Sequence, residues 1–379
     1  MKIAMIGQKG IPTLYGGIER HVEELSIRLV KNSQEVFVYT RPYYTPKDMK
    51  TYKGVNLVSV KSIKSKHLDA ITHTLLSTLH AIRQGYDVIH YQGVGPSLLS
   101  FIPRIFKPSV KVVTTFHCRD SVLSKWGWFA SLSLNLGEWT STRFAHETIT
   151  VSKSLQAYIK ENYKKQVNYI PTGVQLPQNK EANLITSQFG LTKNSYIVAV
   201  ARLIEDKGLH YLVEAYKNLK TDKKLVIVGD ASFTDEYVVG LKEMANDNSN
   251  IIFTGWQSGT MLDELFSNAY MFAHPSVSEG LPVAVLEAAS YGLPIVASNI
   301  PANKEVIEQN GLLFENRNIE DLQTKLKIAL DSPEYVKSLG VKARAYVQET
   351  YDWNKVAIST IDLYKQVKQI ALEAKKSQV

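Results

Sequence analysis

Two glutamates, Glu279 and Glu287, bracket the segment Ser278-Glu-Gly-Leu-Pro-Val-Ala-Val-Leu-Glu287 with seven residues between them. Gly280 and Pro282 break the first glutamate away from regular structure, and the second falls in an apolar run that reads as helix. A carboxylate in such a run is costly to bury unless a partner binds it. The arrangement predicts a helix N-terminus aimed at a ligand, with one acid at its mouth and one further along. That is chemistry suited to a polyhydroxylated, phosphorylated molecule.

Cations suited to such a ligand occur in Ala201-Arg-Leu-Ile-Glu-Asp-Lys-Gly208. Arg202 can bridge phosphate oxygens bidentately, and Lys207 adds a point charge. Both follow a β-rich run, the position at which α/β folds bind ligands. A departing nucleoside diphosphate needs such neutralisation as its charge develops. The competing reading is a surface pair bridged to Glu205 and Asp206. Gly16-Gly17 opens a helical pattern after another strand, where bare backbone and a helix dipole favour a diphosphate. A tight turn explains the glycine pair equally well. Neither it nor Gly7-x-x-Gly10 fits G-x-G-x-x-G, which weighs against a hydride-transfer enzyme.

His117 directly follows a strand in Val113-Thr-Thr-Phe-His-Cys-Arg-Asp120, as a structural histidine or as a ligand contact. Cys118 beside it invites a Cys/His nucleophile, but neighbours on a strand face opposite ways. His21 lies one turn into the Gly16-Gly17 helix, facing ligand or solvent. The other histidines show no spacing for a metal. No Asp-x-Asp occurs, so a metal-held diphosphate lacks its usual carboxylates, and Arg202, Lys207 and helix N-termini would take that role. Lys47, Lys50, Lys53, Lys61, Lys64 and Lys66 are broken only by Asp48, and Trp126, Trp128, Phe129 and Trp139 follow among leucines. Basic residues with aromatics suit a membrane interface or single-stranded nucleic acid. A solvated loop plus a core helix is the plainer reading.

The 379 residues suggest two domains. A hydrophobic content of 44% and a charged content of 21% are ordinary for a globular protein. A single cysteine excludes an internal disulfide and fits a reducing compartment. No signal peptide is visible, and the longest apolar run, Leu281 to Ala297, is interrupted by Glu287, so no membrane span is expected. The net charge of +8 is uneven: residues 1–170 hold 23 Lys/Arg against 11 Asp/Glu, and the remainder holds 21 against 25. The first half therefore prefers an anionic partner: phosphate, lipid or nucleic acid.

Elements able to position these groups alternate along the whole chain, short β-rich runs with longer amphipathic ones, which predicts α/β architecture with parallel sheets. The pattern starts twice. Lys2 to Ile6 reads as a buried strand, followed by a helix with Ile18, Val22, Leu25 and Leu29 on one face, then strands at Glu35–Thr40, Val88–Tyr91, Val110–Phe116 and Glu147–Val151. Tyr196 to Ala201 restarts it, with Leu209, Leu212, Val213 and Tyr216 in the next helix. Strands then follow at Leu225–Val228, Ile251–Phe253, Tyr270–His274 and Ile295–Ala297. The expected division is a Rossmann-like domain over 1–170, a turn-rich linker over 171–193, a second Rossmann-like domain over 194–351, and a helix over 352–379 packing back on the first domain.

Together these residues resemble the retaining glycosyltransferases of the GT-B fold, the large family 4, group 1, that includes bacterial mannosyl-, rhamnosyl- and glucosyltransferases. Gly16-Gly17-Ile-Glu-Arg-His21-Val-x-x-Leu25 is similar to the family's N-terminal glycine loop. Ala201-Arg202-x4-Lys207-Gly208 resembles its phosphate-binding pair. His274-Pro275-Ser276, then Glu279-Gly280 to Glu287-Ala288 and Gly292-x-Pro294, resembles its E-x7-E signature. The opening Ile6 to Val22 is especially similar to polysaccharide-assembly enzymes labelled rhamnosyltransferases.

The resemblance implies a donor held mainly by the second domain, in a cleft between domains. Glu287 would accept ribose hydroxyls, and Glu279 with the backbone of Gly280, Leu281 and Pro282 would hold the donor sugar. Arg202 and Lys207 would stabilise the diphosphate, with Gly16-Gly17 closing over it. His117 would touch the sugar near the reacting carbon, and the base would lie along Ile251 to Trp256, with Gly255 beside it. The donor would be a UDP-sugar first, with dTDP or GDP as alternatives, and no metal or cofactor would be required. The acceptor would be a glycan or lipid-linked sugar, no nucleic acid is expected, and the location would be cytoplasmic, on the inner membrane face. A non-catalytic nucleotide-sugar or nucleic-acid binding protein is the alternative; a GT-B epimerase would need acid/base carboxylates that E-x7-E does not supply. Here Gly280-Leu281-Pro282 departs from the commoner Gly-Phe or Gly-Leu with a second glycine. Proline at a first helical position is compatible with a helix start.

Overall fold

Strands and helices alternate along the computed structural model, which describes residues 1–65, 68–119, 128–231, 235–245 and 248–376, with the backbone alone for 128–131 and 370–376. The first half supplies β1 (Lys2–Ile6), α1 (Gly17–Lys31), β2 (Glu35–Thr40), β3 (Thr51–Tyr52), β4 (Val55–Ser59), α2 (Asp69–Ala81), β5 (Val88–Gln92), α3 (Val94–Ser97), α4 (Phe101–Phe106), β6 (Lys111–Phe116), α5 (Trp128–Arg143), β7 (Glu147–Thr150), α6 (Lys153–Tyr163) and β8 (Asn168–Tyr169). The second supplies α7 (Leu184–Phe189), β9 (Tyr196–Val200), α8 (Leu209–Lys217), β10 (Lys224–Val228), α9 (Asp235–Ala245), β11 (Ile251–Gly255), α10 (Gly259–Ser267), β12 (Met271–His274), α11 (Val283–Ser290), β13 (Ile295–Ser298), α12 (Pro301–Ile307), β14 (Leu312–Phe314), α13 (Ile319–Asp331), α14 (Pro333–Thr350) and α15 (Trp353–Lys376). Every strand expected from the sequence is present; β3, β4, β8 and β14 are additional.

The strands form two sheets, ordered β3-β4-β2-β1-β5-β6-β7-β8 and β11-β10-β9-β12-β13-β14. All pairings are parallel except the short β3–β4 hairpin. Parallel neighbours need a crossover connection, and the intervening helices supply it while covering both sheet faces. β1 shows the consequence. Its alternate residues Ile3 and Met5 enter one core with Val22, Leu25 and Leu29 of α1. Ala4 and Ile6 enter another, with Tyr39, Ile89 and Tyr91. A strand buried on both faces has no polar alternation, which is why β1 reads as a continuous apolar run. Each core side chain such as Ile3 contributes roughly 1.5–3 kcal/mol by leaving water.

The chain divides into two units, 1–173 with 353–379, and 174–352. The C-terminal helix belongs to the first unit, because Trp353, Val356, Ala357, Ile361, Leu363 and Tyr364 share a core with α1 and β1. The Tyr364 hydroxyl also lies 2.6 Å from Nδ1 of buried His90. The stretch expected as a linker, 171–193, is structured. Thr172 bonds to His21 at 3.0 Å within the first unit. The Glu264 carboxylate accepts the amides of Asn183 (2.9 Å) and Ile185 (3.1 Å) in the second unit. Its turn-forming residues reflect local composition; partners distant in sequence fix its structure.

Candidate active site

Among the parallel strands, sequence order reverses at one place in each sheet: between β1 and β5 in the first, and between β9 and β12 in the second. In open α/β sheets the crevice beyond the strand C-termini at such a reversal receives ligands. In the second unit, the loop 201–208 after β9 and the loop 275–282 after β12 both leave from this place. They are bonded together: the Val277 amide donates to the Asp206 carbonyl at 2.9 Å, and the Ser276 hydroxyl donates to the same carbonyl at 3.2 Å. Gly208 makes the approach possible. Its φ is +63°, and a Cβ there would lie 2.2 Å from the Pro275 carbonyl oxygen.

This docking brings Lys207 to Glu279. The Lys207 ammonium donates to Glu279 Oε1 at 2.5 Å, and His274 Nε2 lies 3.1 Å from the same oxygen. Both side chains of the ion pair are largely buried, at 14% and 11% exposure. Burial alone would raise the Glu279 pKa, but the Lys207 charge and the His274 hydrogen bond outweigh it and hold the carboxyl well below the usual range. The loop bearing Glu279 is anchored from behind. The Ser298 hydroxyl donates to the Ser276 carbonyl at 2.5 Å, Asn303 holds Ser298, and the Asn316 amide reaches the Val277 carbonyl at 3.3 Å.

Arg202 is exposed at the start of the same loop and forms no ion pair among the described residues. The surface pairing with Glu205 and Asp206 considered from sequence is therefore absent from the described residues, since Lys207 pairs with Glu279 instead. Glu287 lies half-buried on α11, whose opposite side buries Val285, Leu286, Ala288 and Ala289. Pro282 differs from expectation: it occupies the N-cap rather than the first helical position, and its carbonyl accepts the Val285 and Leu286 amides at 3.0 and 3.1 Å. The amides at the start of α11 have no partner one turn earlier within the helix. Gly280 and Leu281 are buried beside it. Gly255 ends β11 two strands from β9, accepting the Gly229 amide at 2.9 Å, with Trp256 exposed next to it.

In the first unit, Gly16 is the N-cap of α1 and Gly17 its first residue. A Cβ on Gly16, whose φ is +107°, would lie 1.9 Å from the Glu19 carboxylate. Glu19 is buried in the first helical turn and accepts the Lys9 amide at 3.0 Å. A carboxylate thus already lies beside the glycine pair. His117 follows β6, half-buried, and its Nε2 lies 2.9 Å from Oε1 of Gln92 at the end of β5. Since Oε1 only accepts, this nitrogen carries the proton and Nδ1 keeps a lone pair. Burial first, then His21 and His90, lower the His117 pKa well below the usual value, so the ring is neutral.

His21 faces neither solvent nor an open site: it is buried, bonded to Thr172 and edge-on to His117 at 4.8 Å, with burial lowering its pKa to about 4. Because β6 ends at Phe116, the strand-alternation argument separating His117 from Cys118 does not apply. The described residues contain no group of three His, Cys, Asp or Glu arranged to hold a metal ion.

Sequence reasoning missed Gln92, Ser298 and Asn303, and left His274 without a role. His274 did carry a signal, as a polar residue ending an otherwise apolar strand; Gln92 ends a strand that already holds His90 and carried a weaker one. Ser298 and Asn303 carried none. Lys66 and Trp126 of the basic-aromatic reading lie outside the described residues, as do the side chains of Trp128 and Phe129.

Two parallel α/β units, each with candidate residues at a sheet reversal, define the class: a GT-B-type sugar-transfer fold. Residues 15–177 match the model for glycosyltransferase family 4, and residues 183–346 match that for glycosyl transferases group 1. The chain belongs to this glycosyltransferase family. An uncharacterized glycosyltransferase of Methanocaldococcus jannaschii is 26% identical, over 96% of this chain and 98% of its own. The UDP-Gal:alpha-D-GlcNAc-diphosphoundecaprenol alpha-1,3-galactosyltransferase of Escherichia coli is 32% identical, over 43% of this chain and 45% of its own. Among solved structures, sucrose-phosphate synthase from Thermosynechococcus elongatus superposes with a TM-score of 0.84 at 21% identity, covering 97% of this chain and 98% of its own.

Proposed function

We propose that the protein transfers a hexose from a nucleoside diphosphate sugar, UDP-linked first and dTDP- or GDP-linked as alternatives, to a glycan or lipid-linked acceptor. The transfer retains the anomeric configuration and serves cell-surface polysaccharide or glycolipid synthesis on the cytoplasmic membrane face. The observation that carries this reading is the Lys207–Glu279 contact at the sheet reversal of the second unit. The E. coli relative, a galactosyltransferase named for its UDP-Gal donor and GlcNAc-diphosphoundecaprenol acceptor, supports a UDP-hexose and a lipid-linked acceptor.

The donor's diphosphate competes with Glu279 for the Lys207 ammonium. Lys207 and Arg202 then face the phosphates, and Glu279, kept ionised by its surroundings, accepts hydrogen bonds from the sugar hydroxyls. Glu287 accepts the ribose hydroxyls, and the base lies near Gly255 and Trp256. The bond from the anomeric carbon to the phosphate oxygen breaks as the acceptor oxygen bonds the same carbon on the same face. The acceptor proton passes to the departing phosphate, so no side chain has to act as base. His117, neutral, is suited to a hydrogen bond rather than to proton abstraction.

The test incubates purified protein with UDP-, dTDP- and GDP-hexoses and lipid-extracted acceptors, following nucleotide release and product NMR. Glu279→Gln and Lys207→Ala each lower turnover about 100- to 1,000-fold while circular dichroism is unchanged. Wild-type turnover in both variants overturns the site. Nucleotide binding without transfer to any acceptor favours a binding protein instead, and an inverted product overturns retention.

A further inference from the structure

We infer that the face formed by α4 and α5 is a docking surface for an anionic lipid bilayer. Helix α5 packs one side against α3: a Cβ on Gly137 would lie 2.3 Å from the Val94 carbonyl, and Leu134 touches Gly95. On the opposite side, Leu132, Leu136 and Trp139 recur at i, i+4 and i+7, with exposures of 47%, 48% and 47%. Helix α4 adds Ile105 and Phe106, exposed by 60% and 70%. The two helices meet at Phe144, whose ring lies 5.5 Å from that of Trp139 and 6.0 Å from that of Phe101. Apolar side chains this exposed on adjoining helices mark an interaction face rather than scattered surface residues.

Charge selects the occupant. Arg143 continues the α5 stripe by one turn, and Arg104, bonded to His146, and Lys107 flank the apolar tips of α4. Among the described residues of 98–146 the sole carboxylate is Glu138, which is buried and accepts the hydroxyls of Tyr158 and Tyr163 at 2.9 and 2.8 Å. Leucine, tryptophan and basic residues on one face, without exposed acid, are the composition of an interfacial helix on anionic lipid. The described lysines of the cluster that sequence reading joined to these aromatics, Lys47, Lys50, Lys53, Lys61 and Lys64, lie in or flank the β3–β4 hairpin. Lys53 lies in the β3–β4 hairpin, and β4 is separated from β6 by β2, β1 and β5, about 19 Å of strand spacing. This inference rests on the proposed membrane-face function and deepens it by assigning the surface that docks. Its test requires no turnover, so failure of one is distinguishable from failure of the other.

The test floats full-length protein with vesicles of about seven parts phosphatidylcholine to three parts phosphatidylglycerol, and with phosphatidylcholine alone, at about 0.05 M and 0.5 M salt. The wild type floats with the anionic vesicles, more weakly at high salt. The triple substitution Leu132→Ser, Leu136→Ser, Trp139→Ser lowers the bound fraction at least about tenfold with unchanged circular dichroism. Lys107→Glu with Arg143→Glu removes the salt-sensitive part. Lys47→Glu, Lys50→Glu, Lys61→Glu, Lys64→Glu leaves flotation unchanged. Flotation of the triple variant at the wild-type level overturns the assignment, as does loss confined to the lysine variant. A wild-type dimer by light scattering that the triple variant converts to monomer, without change in flotation, assigns the face to a second copy and also overturns it.

Discussion

Lys207 and Glu279 hold each other in the protein without ligand, and that pair sets the first expectations. With both groups largely buried, removing one leaves the other a buried charge without its main partner, Glu279 keeping only the His274 contact, at a cost of about 3 kcal/mol. Lys207→Met therefore destabilises the second unit by roughly that amount in urea unfolding, and Lys207→Met with Glu279→Gln recovers most of it. The carboxyl's folded pKa lies below its ordinary 4.5, so its stabilising contribution is complete above pH 4.5 and fades as the pH falls below that value. The acid limb of stability shows this fade in the wild type and not in Glu279→Gln. The importance of these two residues was legible because a glutamate in a Gly-Pro loop before an apolar run is locally anomalous. Their contact was not legible: it spans 72 positions and depends on two loops docking. The same holds for His274, whose chemistry is visible only beside the carboxylate it contacts.

At the scale of elements, the loop after β9 meets the loop after β12 only because residue 208 lacks a side chain. Gly208→Ala, strained at φ +63° and blocked by the Pro275 carbonyl, displaces Lys207. Calorimetry with UDP should show at least about tenfold weaker binding in that variant, and melting should show a loss of about 1–3 kcal/mol. Asn303→Ala loosens the anchor behind Ser276 and shifts donor KM more than kcat, read from steady-state kinetics. Long buried strands such as β1, β9 and β10 were legible from apolar runs, and α1 from its 3.6-residue period. The pieces that escaped are short or depend on distant partners. β3 and β8 have two residues each, β14 has three, and α7 is capped by a carboxylate about 80 positions away. Pairing with neighbours, not their own sequence, makes them strands or helix.

For the whole molecule, the two units differ in their response to acid. In the first, burial lowers His21 and His73 to about 4 and His90 to about 3, and His117 further below its ordinary value. As the pH falls below 6.5 the unfolded chain takes up protons that these folded rings refuse, so stability is complete above 6.5 and declines toward pH 4. Each fully buried ring contributes up to about 1.4 kcal/mol per pH unit. In the second unit burial lowers the pKa of His210, a ring that is only half-buried. Hydrogen exchange at pH 7 and pH 5 is expected to show the first unit losing protection and the second far less, with His90→Asn reducing the difference. That two α/β units exist was legible in the doubled strand-loop-helix start. The boundary near residue 352, with a last helix returning to the first unit, was expected as well; the end of the first stretch at 173 was not, because the linker reading covered residues that bond within each unit. A chain ending at Asp352 is expected to keep the cooperative unfolding of the second unit and lose that of the first. The same feature orders events on the ribosome. Residues 1–173 do not complete their core until the helix from Trp353 has been translated, whereas the 179 residues between have all their partners by then. Residues 174–352 can thus fold before residues 1–173 do, and the latter wait longer in reach of chaperones and proteases.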